Sequence, residues 1–341
     1  MVNSHYVPQF ILRHFCEDDK IQYYDIEKHN IEKRTTKSVF SEKGYYPDEL
    51  ERELCHKIEI QFAKVLNNKI LCENYRIILS EDDMFILKKF LIISALRVKD
   101  YNLKHNSWYQ ALKRDGFVDD EHTDLFSGDF YENINTILKC NDKQKMLEIA
   151  YNGENINLFS YMKDILCAYT LFVRTNNCKE DFIMPDRGWA GYMGPISIKK
   201  INALFNLYQL SGDPFIGSLV QMVTPHDYTI FPLSRNLAII NMSPAFKIYL
   251  PGSPYKIIFP EEAPTLLQCL GFGNAGTIKP PEVKNIRSSG IEYRCDIQQL
   301  SRQDVVFLNS LLLSNADQFF GFANEEKVKA SLENSKSYEG K

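Results

Sequence analysis

A short stretch near the start of the chain is dense in groups that can do chemistry. His5-Tyr6-Val7-Pro8-Gln9-Phe10, followed by Leu12, Arg13 and Phe15, supplies an imidazole, an amide, a guanidinium and aromatic rings. An imidazole changes charge near neutrality, so His5 can give or take a proton. Arg13 can grip a carboxylate or phosphate through a two-pronged guanidinium contact, and Pro8 fixes the backbone between them. The plainer reading, a tied-down strand with His5 bonded to backbone, stays open beside it. Far along the chain, Asp181-Phe182-Ile183-Met184 reads as a short strand that ends at Pro185 and presents Asp186 in a turn. Gly188, Gly191, Gly194 and Pro195 then mark a loop carrying Trp189 and Tyr192, aromatics on irregular backbone.

Positioning these groups falls to a helix-rich first half and a sheet in the second. Lys20 to Asp25, followed by a basic stretch to Lys37, reads as a strand pair with a surface turn. From Asp48 the apolar spacing becomes helical, with Leu50, Leu54, Ile58, Phe62 and Val65 on one face and Asp48 with Glu51 placed as a capping box. Ser80 and Asp83 cap a second helix, Phe85 to about Lys104. Residues 105–154 are polar, with turn signals at Asp115-Gly116 and Ser127-Gly128 and helical fragments between Asn133 and Ile149. A helix is expected near Asn157 to Asp164. Ile165 to Val173 is apolar enough for a buried strand or a continued helix. Strands are expected at Tyr228–Phe231, Asn236–Met242 and Lys256–Phe259, and Ser301 with Asp304 caps a final helix. The fold class is therefore α+β, with a small mixed sheet in the C-terminal half and a closing C-terminal helix. It is read as one domain over residues 1–330 and a fraying tail over 331–341.

Composition narrows the function classes. The chain has 341 residues and a net charge of −4, so nucleic acid must be held by a local basic patch rather than by the charge of the whole protein. Lys28, His29, Lys33, Arg34 and Lys37 form such a cluster, but Glu27 and Glu32 interrupt it as they would a solvated face. The 8 cysteines form no Cys-x-x-Cys pair, and reduced thiols in a cytoplasm are the simplest expectation. Pro8 and the lack of preceding basic residues argue against a signal peptide, and no run of 18 apolar residues suggests a membrane span.

Most motifs fail on context. Gly271-Phe272-Gly273-Asn274-Ala275-Gly276 fits the dinucleotide fingerprint, but Pro280-Pro281 forbids the helix that must follow, so no cofactor is expected. Pro185-Asp186 begins a restriction-nuclease pattern whose Glu-x-Lys does not follow. Leu250-Pro251-Gly252 lacks the flanking helices of a DNA-binding hairpin.

The N-terminal pattern resembles the bacterial and phage-associated domain-of-unknown-function family 4238, whose signature is His-Tyr-Val-Pro-x-Phe-x-Leu-Arg-x-Phe. His5, Tyr6, Val7, Pro8, Phe10, Leu12, Arg13 and Phe15 match it. Phe182 to Asp186 resembles the family's strand ending in a Thr-Ser-Asp-x-Pro turn, with Met184-Pro185 in place of the hydroxyl pair. Pro232-Leu233-Ser234 is similar to its Pro-x-Ser strand entry, and Asn309 with Ala316 to its C-terminal Asn-x(6)-Ala helix. The resemblance implies a polar set of His5, Gln9, Arg13, Asp186, Ser234 and Asn309. It implies no established activity, and a purely structural role for Asn309 stays open.

If that set converged, it would make a poor ligand field for two Mg²⁺ ions but could serve metal-free hydrolysis. Asp186 would activate water or stabilise an oxocarbenium-like centre, and His5 would protonate a leaving group or hold an oxyanion. Asn309 would join them as the third catalytic residue. Gln9, Arg13, Trp189, Tyr192 and Ser234 would bind substrate, with the aromatics stacking on a flipped base. The expectation is a metal-independent, DNA glycosylase-like hydrolase, acting on modified phage DNA in defence. A metal-dependent nuclease and a non-catalytic nucleotide or nucleic-acid sensor are the alternatives.

Overall fold

A computed structural model describes residues 3–45, 47–97, 130–152, 162, 165–166, 168–175, 179–192, 206–207, 209–213, 228–242, 282–286 and 290–338. The architecture is α+β with mixed sheets. A seven-stranded sheet runs in the order β11 (Glu282–Ile286), β12 (Gly290–Leu300), β6 (Tyr169–Thr175), β10 (Leu237–Met242), β9 (Tyr228–Ser234), β8 (Ala190–Tyr192), with β5 (Arg76–Ser80) also paired to β12. The long β12 does double duty. Residues Glu292 to Asp296 pair antiparallel with β5, and Ile297 to Leu300 pair parallel with β6. In β5 the side chains alternate, Ile77 and Leu79 inward and Arg76 and Ile78 outward, as the period of two requires.

The sheets are not confined to the C-terminal half, because strands from both ends of the chain share them. β2 (Lys20–Asp25) and β3 (Asn30–Thr35) form the expected hairpin, which continues through β13 (Phe319–Phe322) to the two-residue β7 (Met184–Pro185). Ile21 packs directly over Gly321, where a Cβ would come within 2.6 Å of Ile21 Cδ1 and displace that side chain. A third, two-stranded sheet joins β1 (Asn3–His5) to β4 (Ser41–Lys43). In the hairpin, Lys28 pairs with Asp25 and Arg34 with Glu32, the pattern of a solvated face.

The helix expected from Asp48 is continuous to Ile70, as α2 (Asp48–Leu54) and α3 (Ile60–Val65) joined and followed by single wider turns. Its start differs from expectation: Pro47 holds the N-cap position with no side-chain cap, so Asp48 and Glu51 do not form a capping box. α4 (Glu81–Leu96) begins with the expected Ser80–Asp83 capping box. Helices α5 (Phe130–Lys139) and α6 (Lys143–Asn152) account for the fragments between Asn133 and Ile149.

α7 (Arg302–Ser314) starts at its Ser301–Asp304 box, but it does not close the fold. The chain continues through β13 into α8 (Lys329–Tyr338), where Ser331 is fully buried. The chain expected to fray is helical through residue 338 and is held at its start by buried Ser331. The turns at 115–116 and 127–128, the 256–259 strand, the 250–252 hairpin and the glycine-rich 271–276 segment lie outside the described residues.

Helix α4 organises the middle of the fold. It is apolar nearly all round beyond its first turn, so its two lysines are buried and must find partners. Lys88 Nζ donates to the carbonyl oxygens of Ile165, Leu166 and Ala168, and Lys89 Nζ to those of Leu138 and Cys140. Each lysine satisfies carbonyls a helix end leaves open. Burial pushes the Lys89 amine down to about 8.

Candidate functional site

Each polar residue singled out from sequence has a definite place, and the three proposed as catalytic carry three separate sets of partners. Asp186 is buried where β7 ends. Its Oδ1 accepts from the Asp317 backbone N–H at 2.9 Å, and its Oδ2 from those of Gln318 and Phe319 at 2.7 and 3.0 Å. Burial pushes its carboxyl up while the three N–H groups pull the other way. The carboxylate anchors the entry to β13.

Asn309, on α7, is 0% exposed. Its Oδ1 accepts from the Ile183 N–H at 3.2 Å, and its Nδ2 donates to the Asp181 carbonyl at 2.8 Å and to Ser331 Oγ at 2.9 Å. Ser331 in turn donates through N–H and Oγ to the buried Glu180 carboxylate at 2.8 and 2.6 Å. This network fastens α7 and α8 to the irregular segment, Glu180 to Ile183, that leads into β7 and Asp186.

The substrate-binding candidates divide as well. Ser234 Oγ donates to Asn236 Oδ1 at 2.8 Å and accepts the Asn236 N–H, closing the turn between β9 and β10. Arg13 is exposed at the end of α1 (Gln9–Leu12). Trp189 is half-buried, its ring stacked on Phe231 at 6.1 Å, and its carbonyl accepts from Asn315 Nδ2 at 2.5 Å. Tyr192 belongs to β8, opposite Tyr228. These aromatics sit on packed or paired backbone rather than on a free loop.

His5 belongs to a different cluster, and that cluster has the chemical character of a site. Arg97 follows α4 and is the largest fully buried side chain among the described residues, at 1% exposure. Its Nη1 bonds to Glu59 Oε1, its Nη2 donates to the His5 carbonyl at 2.5 Å, and Glu51 Oε2 lies 3.9 Å from Nη2. One guanidinium thus ties β1 to α2 and to the wider turn that follows it. Burial pushes the Glu51 carboxyl up, with Arg97 pulling it down. Burial pushes the His5 ring down, and the neighbouring positive charge of Arg97 adds to that. The backbone of Thr36 opposes the shift. Gln9 Nε2 stands 3.5 Å from His5 Nδ1. With Gln9 as donor, Nδ1 is the acceptor and Nε2 carries the hydrogen. Among the described residues, His5 Nε2 and Glu51 Oε2 are buried without a hydrogen-bond partner.

Sequence reasoning missed Arg97, Glu59 and the role of Glu51. The available signal was Arg97 at the end of a helix apolar on every side, where a charge must be paired.

A small, shallow cleft lies near Tyr6 and Ser94, residues close in sequence to His5 and Arg97. Its walls come from four stretches: Tyr6 to Ile11, Phe90 and Ser94 of α4, Met184 and Gly188 around Asp186, and Phe231 to Leu233 of β9. Gly188, at φ +73°, makes the turn after Asp186. Ser94 and Arg97 are three positions apart on one helix, which puts them on the same side at neighbouring levels.

The fold and the site define an α+β protein of mixed sheets built around a buried charged cluster centred on Arg97. The chain belongs to the family described as Protein of unknown function (DUF4238), whose model matches residues 3–326. No curated protein and no solved structure matches the chain. No helix of the described residues is long and apolar enough to cross a membrane.

Proposed function

We propose that the chain is a hydrolase acting on nucleic acid, of DNA glycosylase type, which cleaves an N-glycosidic bond without a metal ion. The observation that carries this reading is that His5 Nε2 and Glu51 Oε2, two buried atoms around Arg97, lack a hydrogen-bond partner. Groups left unpaired in a dry interior are costly unless a ligand completes them. The buried guanidinium supplies the positive charge that neutralises the two carboxylates.

In this reading Glu51, its carboxyl pushed up by burial, takes a proton from the attacking water. The water oxygen bonds to the sugar carbon as the carbon–nitrogen bond breaks. His5 Nε2–H holds the departing base by a hydrogen bond, and the proton on Glu51 then passes to that base. Arg97 positions both groups, and Gln9 fixes the His5 tautomer. In this reading the base is Glu51 and Arg97 is a positioning residue, while Asp186 and Asn309, whose side chains are engaged by backbone groups and Ser331, serve the fold. DNA would be held through exposed basic groups such as Arg13 and Lys33, in the cytoplasm, with modified phage DNA as the substrate in a defence role.

The test is to incubate the full chain, in EDTA, with modified and unmodified phage DNA, and to assay released base and alkali-labile abasic sites. Base release that falls about 100-fold or more in Glu51→Gln and His5→Gln supports the reading. Absence of base release from every DNA overturns it, and strand scission that EDTA abolishes would point to a nuclease instead.

A further inference from the structure

We propose that Glu59 is a positioning residue of the same site: by engaging Arg97 Nη1 it holds the guanidinium away from Glu51 and leaves Glu51 Oε2 free to take a proton. The inference rests on the hydrolase reading and adds the group that keeps its base available.

The two carboxylates reach Arg97 from one stripe of the helix begun at Asp48. Glu51, Cys55 and Glu59 recur every four residues, and the last two open and close the wider turn after α2. Burial pushes the Cys55 thiol up, and the charges of Glu59 and Glu51 add to that, so both acids bear on one sulfur. The groups that act on Glu51 are Arg97 from the end of α4, Glu59 and Cys55 from that turn, and the backbone of His5 from β1.

Arg97 treats the two acids unequally. Its Nη1 bonds to Glu59 Oε1 and its Nη2 donates to the His5 carbonyl, while Glu51 Oε2 stands 3.9 Å from Nη2, beyond hydrogen-bond reach. Both carboxylate side chains are 18% exposed, so burial does not choose between them. The choice lies in the guanidinium fork: committed to Glu59 on one side and to His5 on the other, its rigid plane cannot turn two-pronged onto Glu51 without giving one of them up. A carboxylate bonded directly to a guanidinium makes a poor base, because that bond favours its ionised form. Glu59 prevents this twice over, by occupying Nη1 and by opposing with its own charge the pull of Arg97 on Glu51.

The experiment is a carboxyl titration of the full chain by carbon-13 magnetic resonance, with labelled glutamate and the Glu51 resonance assigned through Glu51→Gln. Glu59→Gln keeps an acceptor for Nη1 and removes the charge, so the fold should tolerate it. The Glu51 midpoint should then move to lower pH, because Arg97 acts on one carboxylate instead of two. Glu53→Gln, which removes a surface partner of Lys57, should leave that midpoint in place. An unmoved or raised Glu51 midpoint in Glu59→Gln, or an equal drop in Glu53→Gln, overturns the proposal. If Glu59→Gln does not fold, the native chain decides: its Glu51 curve should carry a second inflection at the Glu59 midpoint, and a single inflection overturns the proposal. Where base is released from DNA, the acid limb of its pH profile should move down in Glu59→Gln together with the Glu51 midpoint. A lowered midpoint with no base release from any DNA removes the hydrolase reading and keeps the hold of Glu59 on Arg97. Base release whose acid limb stays put in Glu59→Gln does the reverse.

Discussion

Arg97 Nη2 donates to the carbonyl oxygen of His5 at 2.5 Å across 92 positions of sequence. The same guanidinium bonds to Glu59 and faces Glu51, so a single buried cation joins the end of α4 to the N-terminal strand and to the helix begun at Asp48. Removing it leaves two carboxylates in a desolvated setting with nothing to neutralise them. Arg97→Met should cost about 4 kcal/mol in urea denaturation. Arg97→Lys should recover part of that, because a lysine keeps the charge but not the three-way fork. A loss under about 1 kcal/mol for Arg97→Met would mean that the cluster is no stronger than a surface pair.

Asp186 is the second fixed point. Its carboxylate accepts three consecutive backbone N–H groups, which an amide cannot do, since one of its two polar atoms donates. Asp186→Asn should cost about 2 kcal/mol and Asp186→Ala about 3 kcal/mol. Amide hydrogen exchange at residues 317–319 should speed up in both variants, and unchanged protection there would refute the anchoring role.

How much of this was legible beforehand depends on the range of the interaction. The Ser80–Asp83 and Ser301–Asp304 boxes could be read from sequence because a cap is settled within four residues. The β2–β3 hairpin was equally local. The destinations of Asp186 and Asn309 were not legible: both types can be catalytic or structural, and the choice is made by partners 131 and 126 positions away. Glu51 was misassigned for a related reason. Its spacing from Asp48 imitates a cap, while the buried Arg97 it faces is supplied by another helix. The tail beyond residue 330 looked polar enough to fray, yet Ser331 is drawn inward by Glu180 and Asn309.

That last link is itself testable. Asn309 spends its amide on Ile183, Asp181 and Ser331, so Asn309→Asp would turn a donor into a buried negative charge facing a carbonyl. The expected cost is about 3 kcal/mol or more, against about 1 kcal/mol for Ser331→Ala. A double-mutant cycle between Asn309→Ala and Ser331→Ala should give a coupling of about 1 kcal/mol. Strict additivity would show that α8 is docked by its apolar contacts alone.

The pH dependence of stability follows from the rings of His5 and His14. Burial lowers both below the ordinary value of 6.5; Arg97 adds to the shift at His5 and Arg13 at His14. The unfolded chain therefore binds more protons than the folded one between the folded values and 6.5. Stability must fall as pH drops through 6.5, and this loss is complete once pH lies below the folded values. Glu51 acts with the opposite sign in a lower window. Its folded carboxyl lies above 4.5, so the folded state gains the extra proton there and stability rises as pH falls toward 4.5. Melting temperatures between pH 7.5 and 5.5 should accordingly decline less steeply in His5→Gln than in the native chain, and less steeply again in the His5→Gln, His14→Gln double variant. Parallel slopes in all three proteins would mean that neither imidazole is held neutral by the fold.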